Sequence, residues 1–314
     1  MRYRSDHITP LASSLVWAGV AALGYAGVKA FLSLRRDAEN DVDAFKDKVA
    51  IVTGGASGIG RALCEELGRR GAVVGVADVN AAGAGQVASA ITASGGRARA
   101  VHLDVSQVKD VRQFIDEMIA EHGRLDYMFN NAGIAIAGEV RDLDLEHWGR
   151  MLDVNLWGII HGTTAAYQVM SKQGFGHIVN TASAGGLIPT PMLTTYATTK
   201  HAVMGLSTSL RIEAAALGVK VSVACPGLTQ TGLFDTTVSV KVNLEKAISK
   251  LPFKIMDPAD CARVILHGVV RNKAIIPITA HTRLTWWLYR LHPSLLNPPL
   301  YKMVAYVRAS RSET

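Results

Sequence analysis

From about residue 46 to residue 280, short apolar runs ending near glycine or a carboxylate alternate with helical patterns. Few folds accommodate that alternation. The spacing predicts strands over 48–53, 72–78, 97–103, 125–130, 177–181, 219–224 and 274–278. It predicts helices over 58–70, closed by Gly71; over 107–122, with Ser106 as N-cap and Gly123 as stop; and over 195–217, closed by Gly218. Asp257-Pro258 opens another helix, with aspartate at the cap and proline at the first helical position. Strands alternating with helices imply right-handed crossovers and a parallel sheet covered on both faces. The expected class is α/β: a doubly wound parallel sheet of about seven strands in one domain, residues 46–280. Hydrophobic residues at 49% against 19% charged, with 29 glycines for tight turns, suit such a core.

Both flanks differ from this middle. Residues 8–28 carry no charge, with Arg2 and Arg4 before them and Lys29, Arg35 and Arg36 after. About 20 helical residues cross a bilayer core. A transmembrane anchor is the first reading, with a cleaved signal peptide and a helix lying in the interface as rivals. Residues 37–46 read as a polar linker, so 1–45 forms an anchor and linker. Flanking cations on both sides leave the orientation open by charge counting. At the other end, 281–314 reads as two short amphipathic helices, 283–290 and 300–308, broken by His292-Pro293 and Asn297-Pro298-Pro299. These face a membrane, cover an apolar entrance, or cap the domain or a second subunit.

The net charge of +7 suits an anionic membrane surface as well as ordinary solubility. Cations are not interleaved with aromatics along the body, so no nucleic-acid partner is expected. Cys64, Cys225 and Cys261 have neither disulfide nor zinc spacing and read as small buried residues in a reducing compartment. The domain 46–280 is accordingly expected at a membrane, facing the cytoplasm, and no metal is expected.

The first strand runs into Thr53-Gly-Gly-Ala-Ser-Gly-Ile-Gly60. Glycine there permits positive φ and lets backbone approach a pyrophosphate, and the following helix offers free N–H groups and a positive dipole end. Asp78 ends the second strand, 18 residues past Gly60. A carboxylate there accepts from ribose hydroxyls and repels the 2′-phosphate of NADP; Val79 and Asn80 follow, with no cation to hold that phosphate. NAD(H) is therefore expected over NADP(H). The bland alternative for Asp78 is a cap on the next helix.

Tyr196 and Lys200 are four apart in a predicted helix and share a face. A tyrosine with a pKa of about 10 is a poor base at neutral pH, and a nearby ammonium favours its ionised form. Ser183 follows the fifth strand, 13 residues before Tyr196, where a hydroxyl can reach a substrate oxygen.

Together these residues resemble the short-chain dehydrogenase/reductase family, over roughly residues 47–280. The elements occur in order: Thr53-Gly-x-x-x-Gly-Ile-Gly60, Asp78, Asp104-Val105, Asn130-Asn-Ala-Gly133, Asn155, Ser183, Tyr196-x-x-x-Lys200, and Pro226-Gly227 with Thr229 and Thr231. The resemblance implies a Rossmann-type sheet and a cofactor site of Gly54, Ser57, Gly58, Ile59, Gly60, Asp78, Asp104, Val105, Asn131, Ala132, Gly133, Tyr196, Lys200, Pro226, Gly227 and Thr229. It implies that Tyr196 exchanges the proton and Ser183 polarises the substrate oxygen. Lys200 would bind the nicotinamide ribose and lower the Tyr196 pKa, and Asn155 would hold a relay water. It also implies a homodimer or homotetramer.

The loop 184–192 has no charged residue to meet an anionic substrate. With Leu187, Ile188, Met192, Leu233 and Phe234 as lining or as core, the expected substrate is an apolar alcohol or ketone of steroid, retinoid or fatty-alcohol type. The rival reading is a non-catalytic nucleotide-binding scaffold on the same fold. A sugar epimerase is disfavoured, because the extra length lies in the N-terminal run.

Overall fold

Val49–Thr53 (β1) is buried at all five positions, as a strand covered on both faces must be. The computed structural model describes residues 44–231, 237–242 and 255–309. After β1 come Gly58–Arg69 (α1), Val73–Asp78 (β2), Ala81–Ala93 (α2), Arg97–His102 (β3) and Val108–His122 (α3). Next are Tyr127–Asn130 (β4), Ile136–Gly138 (β5), Leu145–Leu152 (α4), Gly158–Gln173 (α5), Gly176–Thr181 (β6), Thr194–Ala214 (α6) and Val219–Cys225 (β7). The chain ends with Val238–Val240 (β8), Pro258–Val270 (α7), Ile275–Pro277 (β9), Ala280–Leu291 (α8) and Asn297–Ala309 (α9).

Seven parallel strands pair in the order β3-β2-β1-β4-β6-β7-β9. The chain moves outward from β1 through β2 to β3, then returns to pair β4 on the other side of β1. Ligand crevices in open α/β sheets form at that switch point, outside the carboxyl ends of the strands. Alternation along β1 builds the two core layers: Ala50 and Val52 pack with Leu63, Leu67 and Ile265 on one face, and Val49 and Ile51 with Phe114, Ile115 and Met118 on the other. All three cysteines are free and buried, as expected.

The predicted strands and the glycine stops hold. Gly123 and Gly218 take left-handed conformations at φ 75° and 72°, which close helices without a Cβ penalty. Ser106 does not cap α3. Its backbone N–H donates to Asp104 Oδ1 at 2.9 Å, and Gln107 takes the cap position. Asn80 caps α2 by accepting from Gly83 N–H, so the capping alternative for Asp78 fails. Three helices escaped the sequence reading: α2, α4 and α5. A turn of π-helix, Asp153–Trp157, joins the last two.

The C-terminal pair of helices is present, but the prolines act differently from expectation. Pro293 opens a short 3₁₀ turn, and Pro298 and Pro299 lie in the first turn of α9, where their missing N–H groups leave no helical bond unmade. α9 packs Val304, Tyr306 and Val307 with Met192 and Val242, beside the small parallel sheet of β5 and β8. The apolar run 8–28 and residues 37–43 of the linker lie outside the described residues. Among the described residues, no helix is long and apolar enough to cross a membrane.

Candidate active site

The carboxyl ends of β1, β2, β4, β6 and β7 bring the expected residues to one edge of the sheet. Gly54 leaves β1 at φ 68°, and Gly58 starts α1 at φ 53°. A Cβ on Gly60 would lie 1.9 Å from Gly54 O, so the turn closes only with glycine there. Ser57 occupies the N-cap of α1 without a side-chain cap bond, and the first turn has no acidic residue. The leading N–H groups of α1 thus have no side-chain cap, and no carboxylate of the first turn competes for them. Thr231 crosses over this turn: a Cβ on Gly58 would meet it at 3.0 Å.

Asp78 stands beside the turn. Its Oδ2 accepts from Ala56 N–H at 2.9 Å and its Oδ1 from Asn80 N–H at 2.8 Å. These bonds fix the carboxylate and leave lone pairs on both oxygens. Val79 is exposed and offers no charge. Asp104 accepts from Ser106 N–H, and Val105 is buried against Gly158 with its carbonyl bonded to His161 Nδ1 at 3.0 Å.

Asn131, Ala132 and Gly133 follow β4 and tie it to β1. The N–H groups of Asn131 and Ala132 both donate to Thr53 Oγ1, at 3.0 and 3.1 Å, and Asn131 Nδ2 donates to Thr53 O. A Cβ on Gly133 would sit 3.1 Å from Asn155 Oδ1 and 3.5 Å from Lys200 Nζ, so both side chains border the same small space. Asn155 is fully buried in the π turn. Its Oδ1 accepts from Ile134 N–H and its Nδ2 donates to Ile134 O, at 2.8 and 2.9 Å.

Tyr196 and Lys200 lie one turn apart on α6, with Lys200 Nζ 5.5 Å from the centroid of the phenol ring. Lys200 is 3% exposed and donates to Thr181 O at 2.9 Å. Ser183 Oγ accepts from Gly185 N–H at 3.1 Å. The adjoining Gly186 lets the loop lie on α6, since a Cβ there would stand 2.6 Å from Lys200 O.

Burial disfavours each charged form here. It lowers Lys200 to about 8 and raises Cys225 to about 12. Burial also pushes the Tyr196 phenol up, while the hydrogen bond from Ser183 pulls it down. The Lys200 ammonium lies 5.5 Å from the centroid of that ring and donates to Thr181 O.

Pro226 O accepts from Ala184 N–H at 2.7 Å and joins the segment after β7 to the Ser183 loop. Thr229 is buried, with Oγ1 donating to Gly227 O at 3.3 Å. Gly227 abuts the start of α8: a Cβ there would lie 2.6 to 2.9 Å from Thr279 Oγ1, His281 Nε2 and Thr282 Oγ1. Sequence reasoning missed these three and also Cys225, which borders Lys200. Thr279 before an apolar run was a readable cap signal; the contact with Gly227 is long-range and had none. Of the expected lining residues, Leu187 packs with Val203, Val223 and Cys225, and Met192 with Ala137 and Val307, while Ile188 lies partly buried beside Leu187. Leu233 and Phe234 lie outside the described residues.

The short chain dehydrogenase family profile matches residues 48–241. A probable oxidoreductase, EphD, of Mycobacterium tuberculosis is 34% identical over 262 residues, which cover 80% of this chain and 44% of that one. The chain thus matches less than half the length of that relative. Among solved structures, a short chain dehydrogenase/reductase from Burkholderia phymatum in complex with NAD superposes with a TM-score of 0.73 at 26% identity, covering 80% of this chain and 95% of the other. A 3-ketoacyl-(acyl-carrier-protein) reductase from Brucella melitensis complexed with NADH gives 0.65 at 28% identity, covering 71% and 91%. With the glycine turn, the asparagine segment and the Ser-Tyr-Lys group meeting at one sheet edge, the chain belongs to the short-chain dehydrogenase/reductase family of oxidoreductases.

Proposed function

We propose that the chain transfers hydride between NAD(H) and an apolar alcohol or ketone, of steroid, retinoid or fatty-alcohol type, with Tyr196 as the acid/base. The observation that carries this reading is the cluster of Ser183, Tyr196 and Lys200 beside the glycine turn. NAD(H), when bound, supplies or accepts the hydride. The uncapped start of α1, with Gly54, Ser57, Gly58, Ile59 and Gly60, suits its pyrophosphate, and the Asp78 carboxylate suits ribose hydroxyls and disfavours a 2′-phosphate. Asp104 and Val105 would flank the adenine. Asn131, Ala132 and Gly133 would line the cofactor, and Pro226, Gly227 and Thr229 would contact its nicotinamide end.

Tyr196 Oη gives a proton to the substrate oxygen in reduction and takes it back in oxidation. Ser183 holds that oxygen and favours the phenolate. Lys200, still mostly charged at neutral pH, binds the nicotinamide ribose, and Asn155 holds a water that relays protons from Lys200. The charge-free loop 184–192 supports an apolar substrate, the run 8–28 supports a chain held at a membrane, and the family resemblance supports a homodimer or homotetramer.

Tyr196→Phe decides between enzyme and scaffold. Turnover of lipid-like alcohols and ketones, followed by NADH absorbance, should fall by about 10²–10⁴-fold with NADH affinity kept within a few-fold. Unchanged turnover refutes the role of the phenol. Absence of any NADH binding by the unmodified chain refutes the reading as a whole.

A further inference from the structure

Residues 261–312 hold eight of the 33 Lys and Arg and none of the 26 Asp and Glu. The remainder, 25 cations against 26 carboxylates, is almost neutral. The positive excess of the chain therefore resides in its C-terminal sixth, most of it in α7, α8, α9 and their connections. Such asymmetry marks an anionic partner.

The same segment concentrates exposed apolar bulk. Of the fourteen large hydrophobic side chains exposed among the described residues, four fall within 287–301: Trp287 at 60%, Leu291 at 64%, Leu295 and Tyr301. On α8 the sides are sorted. Thr282 is buried and Trp286 packs against the cluster of Leu187, Val203 and Val223, whereas Trp287, Arg290 and Leu291 are exposed at helical spacing, with the Arg290 guanidinium over the Trp286 ring. On α9, Tyr301 and Lys302 are exposed together. Nucleic acid would favour cations in a groove with polar readout groups. Tryptophan, leucine and tyrosine set among lysine and arginine, with no carboxylate in the same segment, match the boundary of an anionic bilayer.

We infer that α8, α9 and the turn between them form a docking surface for an anionic lipid bilayer. Trp287, Leu291 and Leu295 enter the headgroup boundary, and Arg290 and Lys302 pair with lipid phosphates and carboxylates. The attachment is peripheral, since no described helix can cross a membrane. It is a contact separate from the run 8–28. On the proposed function it also sets the membrane near the Ser183 loop, because Trp286 packs against the apolar cluster that contains Leu187 of the segment that follows that serine.

The test uses the full chain with Leu291→Cys, labelled with an environment-sensitive fluorophore. The three native cysteines are buried, so the introduced thiol takes the label. Ser94→Cys, exposed at the opposite edge of the sheet, is the control. Vesicles of phosphatidylcholine, with and without phosphatidylserine, are added. A blue shift at 291 with phosphatidylserine and none at 94 is expected. Arg290→Glu with Lys302→Glu, at unchanged unfolding temperature, should weaken that response at least about tenfold.

No shift at 291 with phosphatidylserine overturns the inference, even where the chain sediments with vesicles through its N-terminal run. Equal shifts at 291 and 94 overturn it too. So does a shift without vesicles that grows with protein concentration, because a second copy then covers the face. The probe reports no catalysis, so failure here leaves the enzymatic reading standing, and loss of NADH binding leaves this one standing.

Discussion

His177 is the second residue of β6, at the end of the sheet away from the site, and its Nε2 lies 2.8 Å from Ser222 Oγ. Ser222 donates to Lys273 O at 2.6 Å, so the hydroxyl accepts from the imidazole Nε2–H. Burial, aided by Lys220 and Arg211, holds its pKa down at about 3. The unfolded chain binds this proton below about 6.5 and the folded chain does not until about 3. Stability from this group is thus complete above 6.5 and is lost progressively as pH falls towards 3. His177→Gln should lower stability at pH 7 yet flatten that acid limb, which denaturant titrations between pH 7 and pH 4 would measure. An acid limb of unchanged slope refutes the neutral ring. At this scale the sequence was legible where spacing is local. Tyr196 and Lys200 share a helix face by arithmetic alone. His177 gave no sign, because the bond that fixes its state comes from a residue 45 positions away. Asn155 was legible only through the family pattern, since one asparagine carries no periodic signal.

Elements were read well where their ends are chemically marked and poorly where they are not. β1 and α1 end at a tight turn or near a left-handed glycine, and their bounds came out within a residue; the helix read as far as 217 leaves α-geometry at Ala214 and continues as a 3₁₀ turn to Gly218. α2 is mostly alanine and glycine and shows little apolar period. α4 and α5 are joined by the π turn, whose extra residue shifts the 3.6-residue pattern, so neither face lines up across it. The buried network behind α5 was equally hidden. Asn130 Nδ2 donates to Asn180 Oδ1 and Thr163 Oγ1, and Asn180 Nδ2 donates to Ser207 Oγ at 3.0 Å. Asn130 Oδ1 faces Gly162, where an added Cβ would lie 1.9 Å away. Gly162→Ala should therefore push α5 off β4 and destabilise by about 1–3 kcal/mol despite the better helix propensity of alanine. Gly149 on α4 has nothing within 4 Å of a built Cβ, so Gly149→Ala should stabilise by up to about 1 kcal/mol. Urea midpoints of the two variants moving the same way would defeat this account.

At the scale of the whole molecule, the alternating pattern implied a parallel sheet with two covered faces but did not fix the strand order, because crossovers can run to either side. Nor did it show where the C-terminal helices dock. α9 comes to rest beside β5 and β8, and Arg308 clasps Glu139 just past β5, with Nη2 to Oε2 at 2.9 Å. Arg141 approaches the same carboxylate at 3.1 Å. The hydrogen bond from Arg308, with the nearby charges, holds the Glu139 carboxyl below its ordinary 4.5. A depressed carboxylate contributes its share above the unfolded value and loses it as pH falls below 4.5 through the folded one. The pair is exposed at the arginine, so salt screens it and its effect is local. Arg308→Ala should leave the global unfolding transition nearly unmoved while amide exchange speeds up over 297–309 and at Gly138, whose N–H is bonded to Met192 O beside the helix. High salt should bring the unmodified chain towards the variant. Exchange confined to the last turn of α9, with Gly138 unaffected, would mean that the clasp only stops fraying and does not hold the helix over the Ser183 side of the cleft.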